Sequence, residues 1–249
     1  MTSSLKPTAV VVGVGAEQGL GAALCRKFAS EGHHVLVAGR TREKLDRVVA
    51  GLTASGGSGE AVVSDATREA DVARLFDRAL APGAGFAPVD LVVFNAGNNR
   101  QVPFRDLDAA TFEDFWRVGC FGGFLVGREA ARRLVPLGRG TVIFTGASAS
   151  LRGRAGFVHF AAAKAGLRMI SQGMAREFGP QGLHVAHVLI DGGIDGERLH
   201  TLAPERVKAL GEDGLLHIDA IAETYWQLHR QHRSAWTQEV DLRPFKESF

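Results

Sequence analysis

The sequence predicts one doubly wound α/β domain: a parallel sheet of about seven strands with helices on both faces. Three observations predict it. Short apolar, β-branched runs alternate with amphipathic segments along the whole chain. Glycine is abundant, at 31 of 249 residues, which suits tight strand-to-helix turns. No linker, repeat or low-complexity tail divides the chain, and 45% hydrophobic residues suffice for a sizeable core.

The elements follow in order. Thr8–Val14 reads as a strand buried on both faces, and Leu20, Ala23, Leu24 and Phe28 give Leu20–Glu31 helical spacing. His34–Ala38 is the second strand and Arg42–Leu52 the next helix, ended by the turn Ser55-Gly56-Gly57-Ser58-Gly59. Ala61–Ser64 and Val89–Phe94 are strands three and four, with a helix near Asp71–Leu80 between them. A long helix is expected over Thr111–Leu134, a strand over Thr141–Thr145, a helix over Gly156–Phe178 and a strand over His184–Ile190. The polar stretch Asp195–Leu216 interrupts this rhythm as an insertion expected to cover a site. A helix near Ala220–His229 and a short strand holding Val240 and Leu242 complete the chain.

Net charge is +2 with no long basic run, so no nucleic-acid footprint is present. No apolar run approaches membrane-span length, and Met1 to Val14 lacks the regions of a signal peptide; a cytoplasmic protein is expected. Cys25 and Cys120 make neither a disulfide framework nor a metal site. His184 and His187 lack ligand spacing, and no metal is expected. His33 and His34 are read as exposed, and Trp226, Trp236 and Phe245 as core or subunit-interface residues.

The first strand runs into Gly13-Val14-Gly15-Ala16-Glu17-Gln18-Gly19-Leu20-Gly21 and then a helix. Gly15 is assigned the sharp turn, Gly19 the close approach to a pyrophosphate, and Gly21 the close packing of helix on strand. The helix N-terminus offers free N–H groups to an anion. A glycine loop in this context points to a dinucleotide.

Three further segments accompany the spacing Gly15-x-x-x-Gly19-x-Gly21: Ser64-Asp65-Ala66-Thr67 after strand three, Asn95-Ala96-Gly97 after strand four, and Ala161-Ala162-Ala163-Lys164-Ala165-Gly166 on a helix. Together the four motifs resemble the short-chain dehydrogenase/reductase family over Thr8 to about Leu242, which implies a Rossmann-type fold and a nicotinamide cofactor. The resemblance implies cofactor contacts at Gly15, Gln18, Gly19, Leu20 and Gly21. It implies an adenine contact at Asp65 with Ala66, and an adenosine-ribose region at Asn95, Ala96 and Gly97. Lys164 would hold the nicotinamide ribose, with Gly192 and Ile194 beside the carboxamide. Asp191-Gly192 stands where the family usually has Pro-Gly. It also implies a small-molecule substrate and a homodimer or homotetramer, paired through the helices over Thr111–Leu134 and Gly156–Phe178.

The second strand ends in Ala38-Gly39-Arg40-Thr41, with Arg40 where an NAD enzyme usually carries an acidic residue. A guanidinium can fork onto a 2′-phosphate, so NADP(H) is favoured over NAD(H), although Glu17 tells mildly against it.

The family's proton relay is Asn, Ser, Tyr and Lys, with tyrosine and lysine one helical turn apart. Here Lys164 holds the lysine position, but Phe160 stands at the tyrosine position, Ala147 at the serine and Gly119 at the asparagine. A phenyl ring cannot give or take a proton. Ser148, beside Ala147, is the candidate catalytic hydroxyl, and Arg152 and Arg154 are candidates to bind an anionic substrate. His159 adjoins Phe160 but points about 100° away on a helix. Tyr225, the only tyrosine, is a remote candidate for a substitute phenol. The expected function is an NADP(H)-dependent oxidoreductase with an altered site. Alternatives are a cofactor-binding sensor or partner subunit without dehydrogenase activity, and a reaction such as double-bond reduction or isomerisation.

Overall fold

The structure is a computed structural model that describes residues 5–247. Met1–Ser4, the start of the segment read as lacking a leader, lie outside the described residues.

Seven strands form one parallel sheet: β1 (Lys6–Val12), β2 (His34–Gly39), β3 (Ser58–Val63), β4 (Phe86–Phe94), β5 (Thr141–Thr145), β6 (His184–Ile190) and β9 (Glu239–Leu242). Their order is β3-β2-β1-β4-β5-β6-β9. Side chains alternate across the sheet as period-two geometry requires. Ala9 and Val11 enter one buried cluster, while Val10 and Val12 enter the other. Helices α1 (Leu20–Ser30), α2 (Arg42–Ala54) and α9 (Ile218–His229) cover the first face. Helices α3 (Glu69–Leu80), α5 (Gly122–Leu134) and α6 (Val158–Phe178) cover the second.

The chain leaves β1 toward β2 and β3, then crosses back to place β4 on the other side. That reversal opens a crevice beyond the carboxyl ends of β1 and β4, where ligands bind in doubly wound sheets. The glycine loop and Asn95-Ala96-Gly97 both lie there.

Several elements differ from expectation. β3 begins at Ser58, so two residues assigned to the glycine-rich turn pair with β2 instead: Ser58 faces His34 and Gly59 faces Val35. The helix expected over Thr111–Leu134 is α4 (Ala109–Trp116) and α5, joined by a π turn at Arg117–Phe121 that contains Gly119. The stretch Asp195–Leu216 carries short elements of its own. It holds α7 (Glu197–Leu202) and α8 (Pro204–Leu210), and Ile194–Asp195 (β7) pairs with Leu216–His217 (β8). His33 and His34 are buried, not exposed: His33 bonds Asp90, and His34 bonds Ser58 and stacks on Phe86. Phe245 is 77% exposed rather than core, while Trp226 is buried. Among the described residues no helix is long and apolar enough to cross a membrane.

Candidate active site

The glycine loop is built around a residue that the sequence reading passed over. Gly13, not Gly15, makes the sharp turn, with φ +94°. A Cβ on Gly13 would stand 2.4 Å from the Ala96 amide nitrogen, so this glycine lets the two crevice loops touch. Gly15 has open space where its side chain would be, which leaves its backbone accessible. Gly21 packs as expected, its missing Cβ 3.0 Å from the Gly13 carbonyl oxygen. Gly19 caps α1 without a side chain, so the first N–H groups of the helix face the crevice with no side-chain partner. This uncapped terminus, beside the open space at Gly15, fits an anionic phosphate.

Arg40 follows β2 on the surface, and Thr41 caps α2 without a side-chain bond. Asp65 turns back on itself, accepting from the Thr67 amide at 2.9 Å and its hydroxyl at 2.8 Å. Partial burial opposes its ionisation, but these two bonds and the charges of Arg40 and Arg68 hold the carboxyl below its ordinary range. Ala66 is buried beneath it. Asn95 donates from Nδ2 to the Gly13 carbonyl at 3.3 Å, and its amide to Val12 at 2.8 Å, tying β4 to β1 at the crevice.

Lys164 is buried on α6 and donates from Nζ to the Thr145 carbonyl at 2.6 Å. Burial pulls its pKa down to about 8. A Cβ on Gly97 would lie 3.2 Å from Nζ, so the lysine reaches the crevice floor. Phe160, one turn earlier, has its ring centroid 5.9 Å from Nζ. Gly119 faces the same helix: a Cβ there would come within 3.0 Å of Ala163 Cβ.

The β5–α6 loop carries Ala147 and Ser148, both half-buried. The hydroxyl fixed in place is Ser150, which accepts from the Ala147 amide at 3.1 Å and lies 3.4 Å from His187 Nε2. His187 Nδ1 donates to Glu239 at 2.9 Å, and Glu239 takes two bonds of 2.7 Å from Arg168. Burial pushes the His187 pKa down to about 4, so the ring is neutral and its Nε2 accepts a hydrogen bond from the Ser150 hydroxyl. The Arg168 hydrogen bond, against some burial, holds Glu239 below its ordinary range. Residues from α6, β6 and β9 thereby pin the loop, which local spacing did not reveal.

Tyr225 is fully buried, with its hydroxyl 2.8 Å from Thr145 Oγ1. Burial raises its pKa, so it cannot serve as an exchangeable acid, yet it holds the residue whose carbonyl holds Lys164. His159 is buried against Phe115 and bonds the Arg100 carbonyl. Arg152 is not free for a substrate: it forms two bonds of 3.1 Å to the buried Asp191 carboxylate, which Arg243 also approaches. Arg154 stays exposed over the Phe157 ring. Gly192 packs under Pro244, and Ile194 is half-buried against the core beside α9.

The ordered insertion bridges the crevice. The Glu197 amide donates to the Gln18 carbonyl at 2.8 Å, and Arg198 donates to the Asn99 carbonyl at 2.5 Å. One strap thus contacts both the glycine loop and the loop after β4.

Comparison with known proteins agrees with this geometry. The family model for short chain dehydrogenase matches residues 9–205. The gluconate 5-dehydrogenase of Gluconobacter oxydans is 29% identical over 69% of this chain and 66% of its own length, so the chain spans just under two thirds of that relative. The cis-4-hydroxycyclohexanecarboxylate dehydrogenase of Sinomonas cyclohexanicum is 32% identical over 71% of this chain and 70% of its own. Among solved structures, a short-chain dehydrogenase from Rhodopseudomonas palustris is 38% identical, with TM-score 0.81 over 96% of this chain and 99% of its own. A metagenomic short-chain oxidoreductase in complex with NADP, 24% identical, shares the fold with TM-score 0.79 over 99% of this chain and 100% of its own. The chain belongs to the short-chain dehydrogenase family.

Proposed function

We propose that the protein is an NADP(H)-dependent short-chain oxidoreductase whose proton relay has been remodelled, with Phe160, Ala147 and Gly119 at the tyrosine, serine and asparagine positions. The observation that carries this reading is Lys164: it is buried, anchored to Thr145 and directed at the crevice floor beside Gly97, while the ring one turn away carries no ionisable group. The ammonium is retained where a nicotinamide ribose would lie, and the phenol is not.

The residues present fit the cofactor. Gly15, Gln18, Gly19, Leu20 and Gly21 would hold the pyrophosphate, and Arg40 with Thr41 the 2′-phosphate. Asp65 and Ala66 would hold the adenine, Asn95, Ala96 and Gly97 the adjoining ribose, and Gly192 and Ile194 the carboxamide. NADPH, when bound, supplies a hydride. Lys164 orients the ribose, and Phe160 gives the reacting face an apolar wall that excludes water. Ser148, half-buried on the loop, would position a substrate oxygen. A missing general acid lowers a rate by ~10²–10⁴-fold, so slow ketone reduction, or a reaction needing no side-chain acid, is expected. The reading carries a small-molecule substrate, a single domain with the strap as its insertion, a cytoplasmic location and a homo-oligomer.

The test is NADPH titration followed by single-turnover oxidation with ketones and enones. Carboxylate-bearing compounds belong in the panel, since gluconate and cis-4-hydroxycyclohexanecarboxylate are named in the two relatives. Saturable binding with turnover of one class supports the proposal. Binding with no turnover across the panel would remove the oxidoreductase and leave a cofactor-binding protein.

A further inference from the structure

At the opposite end of the sheet from the crevice, three residues distant in sequence converge. His33 immediately precedes β2, Asp90 lies in β4, and His229 is the last residue of α9. One ring nitrogen from each histidine and one Asp90 carboxylate oxygen lie within 4.8 Å of one another. We propose that His33, Asp90 and His229 form a binding site for a divalent transition-metal ion of the Zn²⁺ type, with its remaining coordination position open to the adjoining cavity.

Three observations support the site. The His33 Nε2 to Asp90 Oδ1 separation is 3.1 Å, a hydrogen-bond distance that need open by only a few tenths of an ångström for both atoms to bind one ion at about 2.0–2.2 Å. The backbone is shaped to present Asp90. Thr8 faces Val89 and Ala9 faces Leu91, so Asp90 is the extra residue of a β-bulge, a device that re-aims a side chain next to a site. The site also borders a cavity of about 200 Å³ lined by Asp90, Thr141, His229, Arg139, Arg233 and Trp236.

The surroundings suit a bound cation. His229 Nδ1 pairs with the Thr141 hydroxyl at 3.0 Å, an outer bond of the kind that orients a ligating imidazole. Trp226 packs edge-on against His33 at 5.5 Å and tilted against His229 at 5.4 Å, covering one side of the cluster. The carbonyl end of α9 adds negative potential at His229. Two imidazoles and one carboxylate form a donor set that selects Zn²⁺-like ions over Mg²⁺ or Ca²⁺. Arg139 and Arg233 on the cavity wall favour water or a small anion as the last ligand. No metal was expected from the sequence because the criterion was local spacing, whereas here a strand bulge, a turn and a helix end supply one ligand each.

The test uses the full-length protein after treatment with a chelator, titrated with ZnCl₂ by calorimetry at neutral pH. One saturable site per chain is expected, together with a rise in melting temperature that EDTA reverses. His33→Ala and Asp90→Asn, checked for native circular dichroism, should each weaken Zn²⁺ binding by more than about tenfold. X-ray absorption of the Zn²⁺-loaded unmodified protein should show nitrogen and oxygen donors only, a readout that does not depend on either variant folding. Absence of saturable binding, unchanged affinity in both folded variants, or a sulfur donor from Cys25 or Cys120 would each overturn the site.

Discussion

Arg40 and Phe160 are the two residues on which the proposed chemistry turns, and each makes a measurable demand. Arg40 is exposed at the end of β2 and acts electrostatically on Asp65. NADPH should therefore bind more tightly than NADH, and Arg40→Asp should reverse the order, because a carboxylate there repels the 2′-phosphate and accepts from a ribose hydroxyl. Calorimetric titration checks this, and equal affinities in the unmodified protein would defeat it. Phe160→Tyr should recover less than about tenfold in ketone reduction, because members of a relay are not additive. Ala147→Ser with Phe160→Tyr should exceed the sum of the single changes. Gly119→Asn is the costly member, since its Cβ would come within 3.0 Å of Ala163 Cβ; it should be tested together with Ala163→Gly. A robust reductase from Phe160→Tyr alone would show that the rest of the site is intact. Spacing made Lys164 and Phe160 legible in the sequence because one helical turn is a local relation. The Tyr225–Thr145–Lys164 connection was not legible, since 80 residues separate the tyrosine from the threonine that receives it.

Most elements were readable because parallel strands buried on both faces leave continuous apolar runs, as in Leu91–Phe94, where every residue is buried. What escaped notice depended on backbone shape. Gly13 looks no different from Gly15 in a string of glycines, and only its positive φ and its contact with Ala96 distinguish them. The π turn at Arg117–Phe121 leaves no mark in a periodicity that continues on either side. Asp195–Leu216 looked irregular because its elements are short and partly exposed; tertiary contacts order it. Gly196 is its point of closest approach to the glycine loop, for a Cβ there would lie 2.8 Å from the Gln18 carbonyl. Gly196→Val should lift the strap at a cost of about 1–3 kcal/mol, the usual range for overpacking. Weaker NADPH binding and faster tryptic cleavage at Arg198 or Arg206 are expected, with the sheet core still protected. Unchanged cleavage and affinity would mean that the strap does not depend on this contact.

Assembly and acid–base behaviour belong to the molecule as a whole. Phe112, Trp116, Phe124 and Met169 are exposed on α4, α5 and α6, the helices expected to pair, so a dimer or tetramer should appear by light scattering at micromolar concentration; a monomer would contradict it. Stability should respond to pH in an acid and an alkaline window, to which His187 and Lys164 respectively contribute; His229, also pushed down to about 4 by burial, adds to the acid one. His187 has a folded pKa of about 4 against an ordinary 6.5. Between these values the unfolded chain binds more protons, so stability falls as pH drops through the window, by roughly 3 kcal/mol for this group. Lys164 has a folded pKa of about 8 against an ordinary 10.5. Between these values the unfolded chain again holds more protons, so stability from this group rises with pH across the window. From pH 6.5 to 8 neither group contributes a slope. Carboxylates such as Glu239 also lose stability in acid, so the measurement must be differential. Urea unfolding across pH should show His187→Gln losing slope only in the acid window and Lys164→Met only in the alkaline one. If His187→Gln leaves the acid slope intact, the ring is not held neutral in the folded protein, and the Arg168–Glu239–His187–Ser150 chain does not fix the loop in the protonation state derived for it.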